Sequence, residues 1–367
     1  MKIVQVTPRY YPDHGGVEEV VQEVSERLSA RGHEVLVYAT DPTGRLPAQQ
    51  VLNGVEVRRF WAAAPNDSYY LSPGLLEALK KESGIDILHA HSFHAFPAAT
   101  AALMKGSSML VVSPHYHGRG HTQARERLFQ VYRRTALKAL VKRADKILCA
   151  SDYERRLVEK DFPSAAAKIL LLPNGVDLED LKKVRRHPSE GLKILSVSRL
   201  ERYKNLDKLI EAVGILRNRG LDAKLTIVGR GPYEQRLKSL SERLGTAELI
   251  DWREDLTKDQ LHEEYASSNV FVLLSSDEAF GIAAAEAMII GLPTVLADAA
   301  ALSSYVEKGL ALGVSLPLSA AAVADRIVEA VQHEPPDVEL IRRHFLSWGA
   351  VVDRLEAIYQ GLVDEQK

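Results

Sequence analysis

The chain has 367 residues, of which 46% are hydrophobic and 26% charged, the composition of a globular chain of about two domains; a disordered or fibrous polymer is excluded. Its 47 basic and 49 acidic residues give a net charge of −2, so the whole-chain charge argues neither for nor against nucleic acid and only local patches bear on it. The single cysteine, Cys149, rules out an intrachain disulfide framework, fits a reducing compartment, and reads as a core residue in the apolar run around it.

Residues 2–6 form a short apolar strand, followed by a loop and then a helix over 17–30. This first apolar run is too short for a signal peptide, and no run nears the roughly 20 apolar residues of a membrane span, so a cytoplasmic location is expected. Gly15 and Gly16 at the helix entry would let backbone approach a phosphate or sugar closely; paired glycines also simply shape turns. The pattern is not G-x-G-x-x-G, so the dinucleotide fingerprint is absent. Strands at 34–39, 55–60, 85–89, 110–113 and 146–150 continue an α/β alternation that predicts a doubly wound parallel sheet. Histidines gather at two strand ends: His89, His91 and His94 at one, His115, His117 and His121 at the other. No cysteine or carboxylate joins them at ligand spacing, so a single functional histidine, His115, is preferred to a metal centre.

From 118 to 143 the charge is lopsided, with Arg119, Arg125, Arg127, Arg133, Arg134, Lys138, Lys142 and Arg143 against Glu126 alone. A basic amphipathic helix of this kind is either a solvated face over the sheet or a surface for an anionic membrane or phosphorylated acceptor. The aromatic platforms of single-strand binders are missing, which argues against nucleic acid.

Pro173-Asn174-Gly175-Val176-Asp177 closes a strand from 169, and the polar stretch 182–191 reads as a linker, placing a boundary between 185 and 186. A second α/β series follows: strands at 193–198, 223–228 and 249–252, alternating with helices at 206–219, 233–244 and 258–267. Arg199 and Lys204 lie just beyond the first of these strands and Gly229-Arg230-Gly231-Pro232 beyond the second, where open α/β sheets build their sites. The unit 270–297 is strand, loop, helix, strand. Its helix over 282–290 is apolar apart from Glu286, a carboxylate costing several kcal/mol to bury unpaired. Glu278 precedes that helix, whose first amides, at Phe280, Gly281 and Ile282, would favour an anion. The plainer alternative is that Glu278 caps the helix and Glu286 meets a backbone or arginine partner. An amphipathic helix over 346–362 is long enough to pack across both domains.

Taken together, the sequence resembles the GT-B glycosyltransferases of family GT4. The most specific element is Glu-x7-Glu, here Glu278 to Glu286, supported by Arg199 with Lys204, by Pro173-Asn-Gly-Val-Asp177 and by Gly15-Gly16. The resemblance implies two Rossmann-like domains facing across a cleft: an acceptor-binding domain over 1–185, a sugar-nucleotide domain over 186–345, and a terminal helix over 346–367 packing back across both. It implies retaining, metal-independent transfer of a hexose from a UDP-, GDP- or ADP-sugar, with no further cofactor, to an acceptor hydroxyl, lipid-linked or phosphorylated acceptors included. An anionic membrane contact would run through 119–143, at the inner face of the membrane. By similarity, Arg199, Lys204 and the amides of Phe280, Gly281 and Ile282 would hold the diphosphate. Glu286 would bind the ribose, Glu278 the donor sugar, Gly229 and Arg253 would lie near the nucleotide, Gly16 would approach phosphate, and His115 the transferred sugar.

Two departures stand out. A small glycine turn usual in the family is replaced by Asp251-Trp-Arg-Glu-Asp255, and paired glycines usual after Pro293 are replaced by an Ala- and Ser-rich stretch ending in Leu302-Ser303-Ser304. Two other functions fit the same architecture: a sugar-nucleotide 2-epimerase, marked by isomerisation without an acceptor, and a non-catalytic sugar-nucleotide-binding subunit. The intact Arg199, Lys204, Glu278 and Glu286 argue against the latter.

Overall fold

The computed structural model describes residues 1–13, 15–65, 69–118, 129–333 and 337–366. These form two compact units, Met1–Gly175 with Trp348–Lys367, and Val176–Ser347. The division lies upstream of the linker suggested by composition. Residues 186–189 belong to the second unit because their backbone and side chains are spoken for there: Arg186 donates to the Gly291 and Ser268 carbonyls, His187 N to Ala266 O and Ser189 N to Ser267 O. The polar composition of 182–191 marks exposed chain, not a junction.

The first unit is built on an eight-stranded sheet of order β3-β4-β2-β1-β5-β6-β7-β8. Its strands are β1 (Lys2–Thr7), β2 (Glu34–Asp41), β3 (Gln49–Leu52), β4 (Val55–Trp61), β5 (Ile87–His91), β6 (Met109–Ser113), β7 (Lys146–Cys149) and β8 (Ile169–Leu171). Every pairing is parallel except β3 with β4, a short hairpin at the edge. One face is aliphatic: Val4, Val6, Leu88, Ala90, Leu110 and Val112 pack under the helices Pro73–Lys81, Phe96–Leu103 and Lys138–Arg143. On the other face β1 and β5 carry polar groups, since Gln5 pairs in register with His89 and His91 with Ser113. The helices Gly16–Ala30 and Trp348–Gln366 pack together in this unit, and Arg31 joins them through Asp353 and Glu356 at 2.6 and 2.7 Å.

β5 starts and ends two residues later than its apolar pattern suggests, which places His89 and His91 inside the strand, fully enclosed, and not in a loop at its end. Polar side chains in a central parallel strand defeat a reading by hydrophobic run. Cys149 is buried at the end of β7, and enclosure raises its thiol pKa, which keeps it inert. Residues 119–128, the first part of the basic stretch, with His121, Arg125, Glu126 and Arg127, lie outside the described residues.

Two-residue strands β9 (Gly175–Val176) and β16 (Leu346–Ser347) mark the passages between the units. The second unit holds a wholly parallel six-stranded sheet of order β12-β11-β10-β13-β14-β15. Its members are β10 (Leu192–Val197), β11 (Ala223–Val228), β12 (Ile250–Arg253), β13 (Val270–Leu273), β14 (Thr294–Ala297) and β15 (Leu312–Val314). β13 and β14 are buried on both faces, as short apolar runs in a parallel sheet require. The order reverses at β10 and β13, the topological switch point at whose carboxyl ends open α/β sheets place their ligands. No helix among the described residues is long and apolar enough to cross a membrane.

Candidate functional site

The loops after β10 and β13 carry most of the expected site residues, and hydrogen bonds hold them together. Asn205 sits in the left-handed region (φ 51°), where its side-chain amide donates to Leu274 O at 2.8 Å and Tyr203 O at 3.1 Å. Ser276 N donates to Tyr203 O at 2.9 Å. These bonds bring the Lys204 ammonium onto the Glu278 carboxylate, an ion pair whose side chains are only 10% and 15% exposed. Burial alone would lower the lysine pKa, but Glu278 outweighs it and the ammonium is held above its usual range. Arg199 is more open and lies 3.6 Å from Glu201. Lys204 and Glu278, expected to meet different parts of a donor, are therefore each other's partner.

The helix Ile282–Ile290 begins at Gly281, in the left-handed region (φ 87°). A Cβ there would come within 2.8 Å of the Leu302 side chain. The stretch 300–302 packs against this turn, and Ala301 N donates to Glu278 O at 3.2 Å. The amides of Phe280, Gly281 and Ile282 thus start a helix directly beside the Lys204–Glu278 pair, and a helix start favours an anion.

Glu286, on the second turn of that helix, is not sealed in the core as its apolar neighbours suggest: part of its surface remains accessible. Its partner is the hydroxyl of Tyr265, which donates to Glu286 Oε2 at 2.9 Å and reaches Ala283 O at 3.2 Å. Enclosure pushes the carboxyl pKa up to about 7; the Tyr265 bond and Lys258 oppose the rise and Asp177 adds to it. Lys258 itself bridges Asp177 and Asp180 at 2.5 and 2.7 Å. Tyr265 lies on the preceding helix, Lys258–Ser267, 21 residues before its partner, so no local pattern reveals it. Replacing Tyr265 by phenylalanine keeps the ring packing and removes the bond; stability should fall by about 1 kcal/mol, read by denaturant unfolding.

Gly229 (φ 137°) follows β11. A Cβ there would stand 2.1 Å from Ser198 O, while Ser198 N donates to Val228 O and Leu200 N to Arg230 O. On the side where a Cβ would project, the close approach this glycine permits is to the Arg199 loop of its own chain. Gly229→Ala should cost about 3 kcal/mol, read by denaturant unfolding. Arg253 ends β12, paired with Asp251 at 2.7 Å, and both side chains are about half exposed. Asp255 takes up the left-handed conformation (φ 50°) in the turn that follows.

On the first unit, Gly16 opens its helix, and among the described residues a Cβ there would meet nothing within 4 Å. His115 follows β6 in the left-handed region (φ 44°) and borders a small cavity shared with His89, His91, Glu154, Asn174 and Trp348. Glu154 is fully enclosed, with its pKa raised by burial to about 7, and accepts from Tyr116 N and Ala150 N at 2.6 Å each, which fixes the backbone beside His115. His115 Nε2 lies 3.3 Å from His91 Nδ1, and His91 Nε2 lies 2.8 Å from Gln5 Oε1. The histidines are thus one another's partners.

A family model described as Glycosyltransferase Family 4 matches residues 14–180, and one described as Glycosyl transferases group 1 matches residues 177–344. The chain belongs to glycosyltransferase family 4. This family-4 chain is 28% identical, over 81% of its length and 79% of the relative's, to a GDP-mannose:cellobiosyl-diphosphopolyprenol alpha-mannosyltransferase of Xanthomonas oryzae. It is 26% identical, over 95% and 90%, to a D-inositol 3-phosphate glycosyltransferase of Nocardiopsis dassonvillei. Solved structures establish its GT-B fold: sucrose-phosphate synthase from Thermosynechococcus elongatus superposes with a TM-score of 0.81 at 19% identity, covering 99% of both chains. HepE from Anabaena, in complex with UDP-glucose, does so with a TM-score of 0.78 at 17% identity, covering 98% of this chain and all of the other. The family-4 chain is accordingly a glycosyltransferase.

Proposed function

We propose that the protein is a retaining hexosyltransferase that moves a sugar from a nucleotide-diphosphate donor to an acceptor hydroxyl without needing a metal ion. The observation that supports this most is the enclosed Lys204–Glu278 pair beside the amino end of the helix Ile282–Ile290, with the pKa-raised Glu286 one turn further on. Breaking a sugar–phosphate bond leaves negative charge on the diphosphate. Preorganised cations and amides at that point lower the barrier. Lys204, Arg199 and the amides of Phe280, Gly281 and Ile282 take that charge. Glu278 gives up part of its contact with Lys204 to accept from a hydroxyl of the donor sugar, and Glu286 accepts from the ribose. His115 borders the transferred sugar and Gly16 approaches phosphate. The acceptor hydroxyl attacks from the face the diphosphate leaves, which retains the anomeric configuration.

Donor identity is read by screening mass-tagged UDP-, GDP- and ADP-hexoses for binding and slow hydrolysis. The relatives' names include a GDP-mannose donor, and one structural neighbour was solved with UDP-glucose. Product analysis with and without an acceptor separates transfer from 2-epimerisation. If no nucleotide diphosphate raises the melting temperature, the donor-binding reading is wrong, because any ligand that binds the folded state alone must raise it.

The acceptor we propose is lipid-linked and met at an anionic surface. Residues 129–143 contain no acid; Phe129, Tyr132, Leu137, Leu140 and Val141 are buried, while Arg134, Lys138, Lys142 and Arg143 point outward. Val131 on the same outward face is 60% exposed, and Leu103 on the adjoining helix Phe96–Leu103 is 58% exposed. Cations around exposed aliphatic groups suit a headgroup layer, each adding about 1 kcal/mol near the surface. A diphosphopolyprenol-linked acceptor in a relative's name is consistent with this. The protein should float with phosphatidylglycerol vesicles at low salt, and charge reversal at Arg134 and Lys138 should abolish flotation; a parent protein that stays in the soluble fraction refutes the membrane reading.

A further inference from the structure

Gln5, His89, His91 and Ser113 lie on one face of the first sheet because of register: Gln5 stands opposite His89, and His91 opposite Ser113. All but Ser113 are buried, and all four are hydrogen-bonded. His89 is held between Tyr359 of the C-terminal helix, whose hydroxyl is 2.6 Å from Nδ1, and Ser113, 2.9 Å from Nε2. Its ring lies 4.3 Å from that of His91, which in turn stacks on His115 at 5.6 Å with 20° between the planes. The chain of contacts has a direction. Gln5 Oε1 faces His91 Nε2, while Gln5 Nε2 is buried with no hydrogen-bond partner among the described residues; a carbonyl oxygen only accepts, so with the amide placed this way His91 Nε2 carries the proton and His91 Nδ1 is left as an acceptor. The group facing that acceptor is His115 Nε2, which must therefore be the donor.

The geometry points to Gln5 and His91 as positioning residues that fix the tautomer of His115, with the proton on Nε2 turned inward and Nδ1 left as a hydrogen-bond acceptor for a substrate hydroxyl. This rests on His115 bordering the transferred sugar. Enclosure keeps all three imidazoles neutral, with His89 held near pKa 3, His115 near 4 and His91 well below its ordinary value; His117 adds to the shift at His115. The left-handed backbone of His115 and the bond from Tyr116 N to Glu154 fix the main chain from which the ring projects. A neutral acceptor orients a sugar hydroxyl without competing with Lys204 and Arg199 for the charge that forms on the diphosphate.

The test uses the full chain labelled with nitrogen-15 histidine and long-range proton–nitrogen correlation spectra, the His115 signals being assigned by their loss in His115→Ala. The parent protein should show His115 protonated at Nε2 and unprotonated at Nδ1. In Gln5→Glu the carboxylate draws a second proton onto His91, whose Nδ1 then donates, and His115 should switch to the Nδ1-protonated form. Turnover at saturating donor should fall about tenfold, with donor KM little changed, as for loss of one well-placed hydrogen bond. His91→Phe, which keeps the stack but offers no acceptor, should leave His115 divided between tautomers, and serves if Gln5→Glu does not fold. The proposal is overturned if His115 carries its proton on Nδ1 in the parent, or if its tautomer is the same in the parent and in the folded variants. Full turnover in His115→Ala, with the tautomers as expected, would instead remove His115 from the sugar while leaving the hydrogen-bond chain intact.

Discussion

Lys204→Ala should lower the rate of sugar transfer about 10²- to 10³-fold at saturating donor, the size of effect seen when one preorganised group stabilising transition-state charge is lost. The lysine is not a mobile surface cation that water could replace. Asn205 and Ser276 hold its loop, the Tyr203 ring centre is 5.0 Å from the ammonium, and the side chain is nearly enclosed. The same substitution strands Glu278 as a carboxylate with little solvent, so stability should fall by about 3 kcal/mol. Two effects on one variant need separating. Pairing Lys204→Met with Glu278→Gln removes both charges together, so unfolding in denaturant should return close to the parent while transfer stays slow. Full transfer in Lys204→Ala would mean the diphosphate is held elsewhere; equal loss of stability in the single and double variants would mean the ion pair is not what the alanine change disrupts.

The parts of this molecule that could be read in the sequence are those whose cause is local. Parallel strands buried on both faces announce themselves as apolar runs, so β13, β14 and the helix between them are plain, and the strand-end siting of Arg199, Lys204 and Glu278 follows from the alternation alone. What stayed hidden depends on partners distant in the chain. β5 is displaced by two residues because its last positions are histidines satisfied by Gln5, Ser113 and Tyr359, and periodicity cannot anticipate a polar row inside a sheet. Tyr265 is invisible for the same reason. Gly229 shows a different limit: a glycine after a strand signals close backbone approach, but only the folded chain shows that Ser198 O is a group it approaches. Residues 186–189 look like a linker by composition, yet are anchored by five hydrogen bonds to backbone carbonyls of the second unit, so composition placed the domain boundary too late.

Nucleotide affinity should rise about tenfold for each pH unit up to about 7 and be flat above it, a dependence that Glu286→Gln should abolish while weakening binding throughout. The sign follows from the carboxyl, whose pKa stands near 7 in the folded protein and at the usual 4.5 when unfolded. Between these values the native state holds a proton that the unfolded state has lost. The stability of the free protein is therefore greatest below pH 4.5 as far as this group is concerned, and declines as pH rises to about 7. Ribose hydroxyls are donors, so they select the ionised carboxylate; binding below pH 7 must release a proton and above it must not. Calorimetry in two buffers of different ionisation enthalpy reads that release directly, close to one proton at pH 6 and none at pH 8. Tyr265→Phe takes away a bond that favours the ionised form, so its break point should lie above that of the parent. An affinity independent of pH from 5.5 to 8 in the parent would show that the nucleotide does not bind through Glu286.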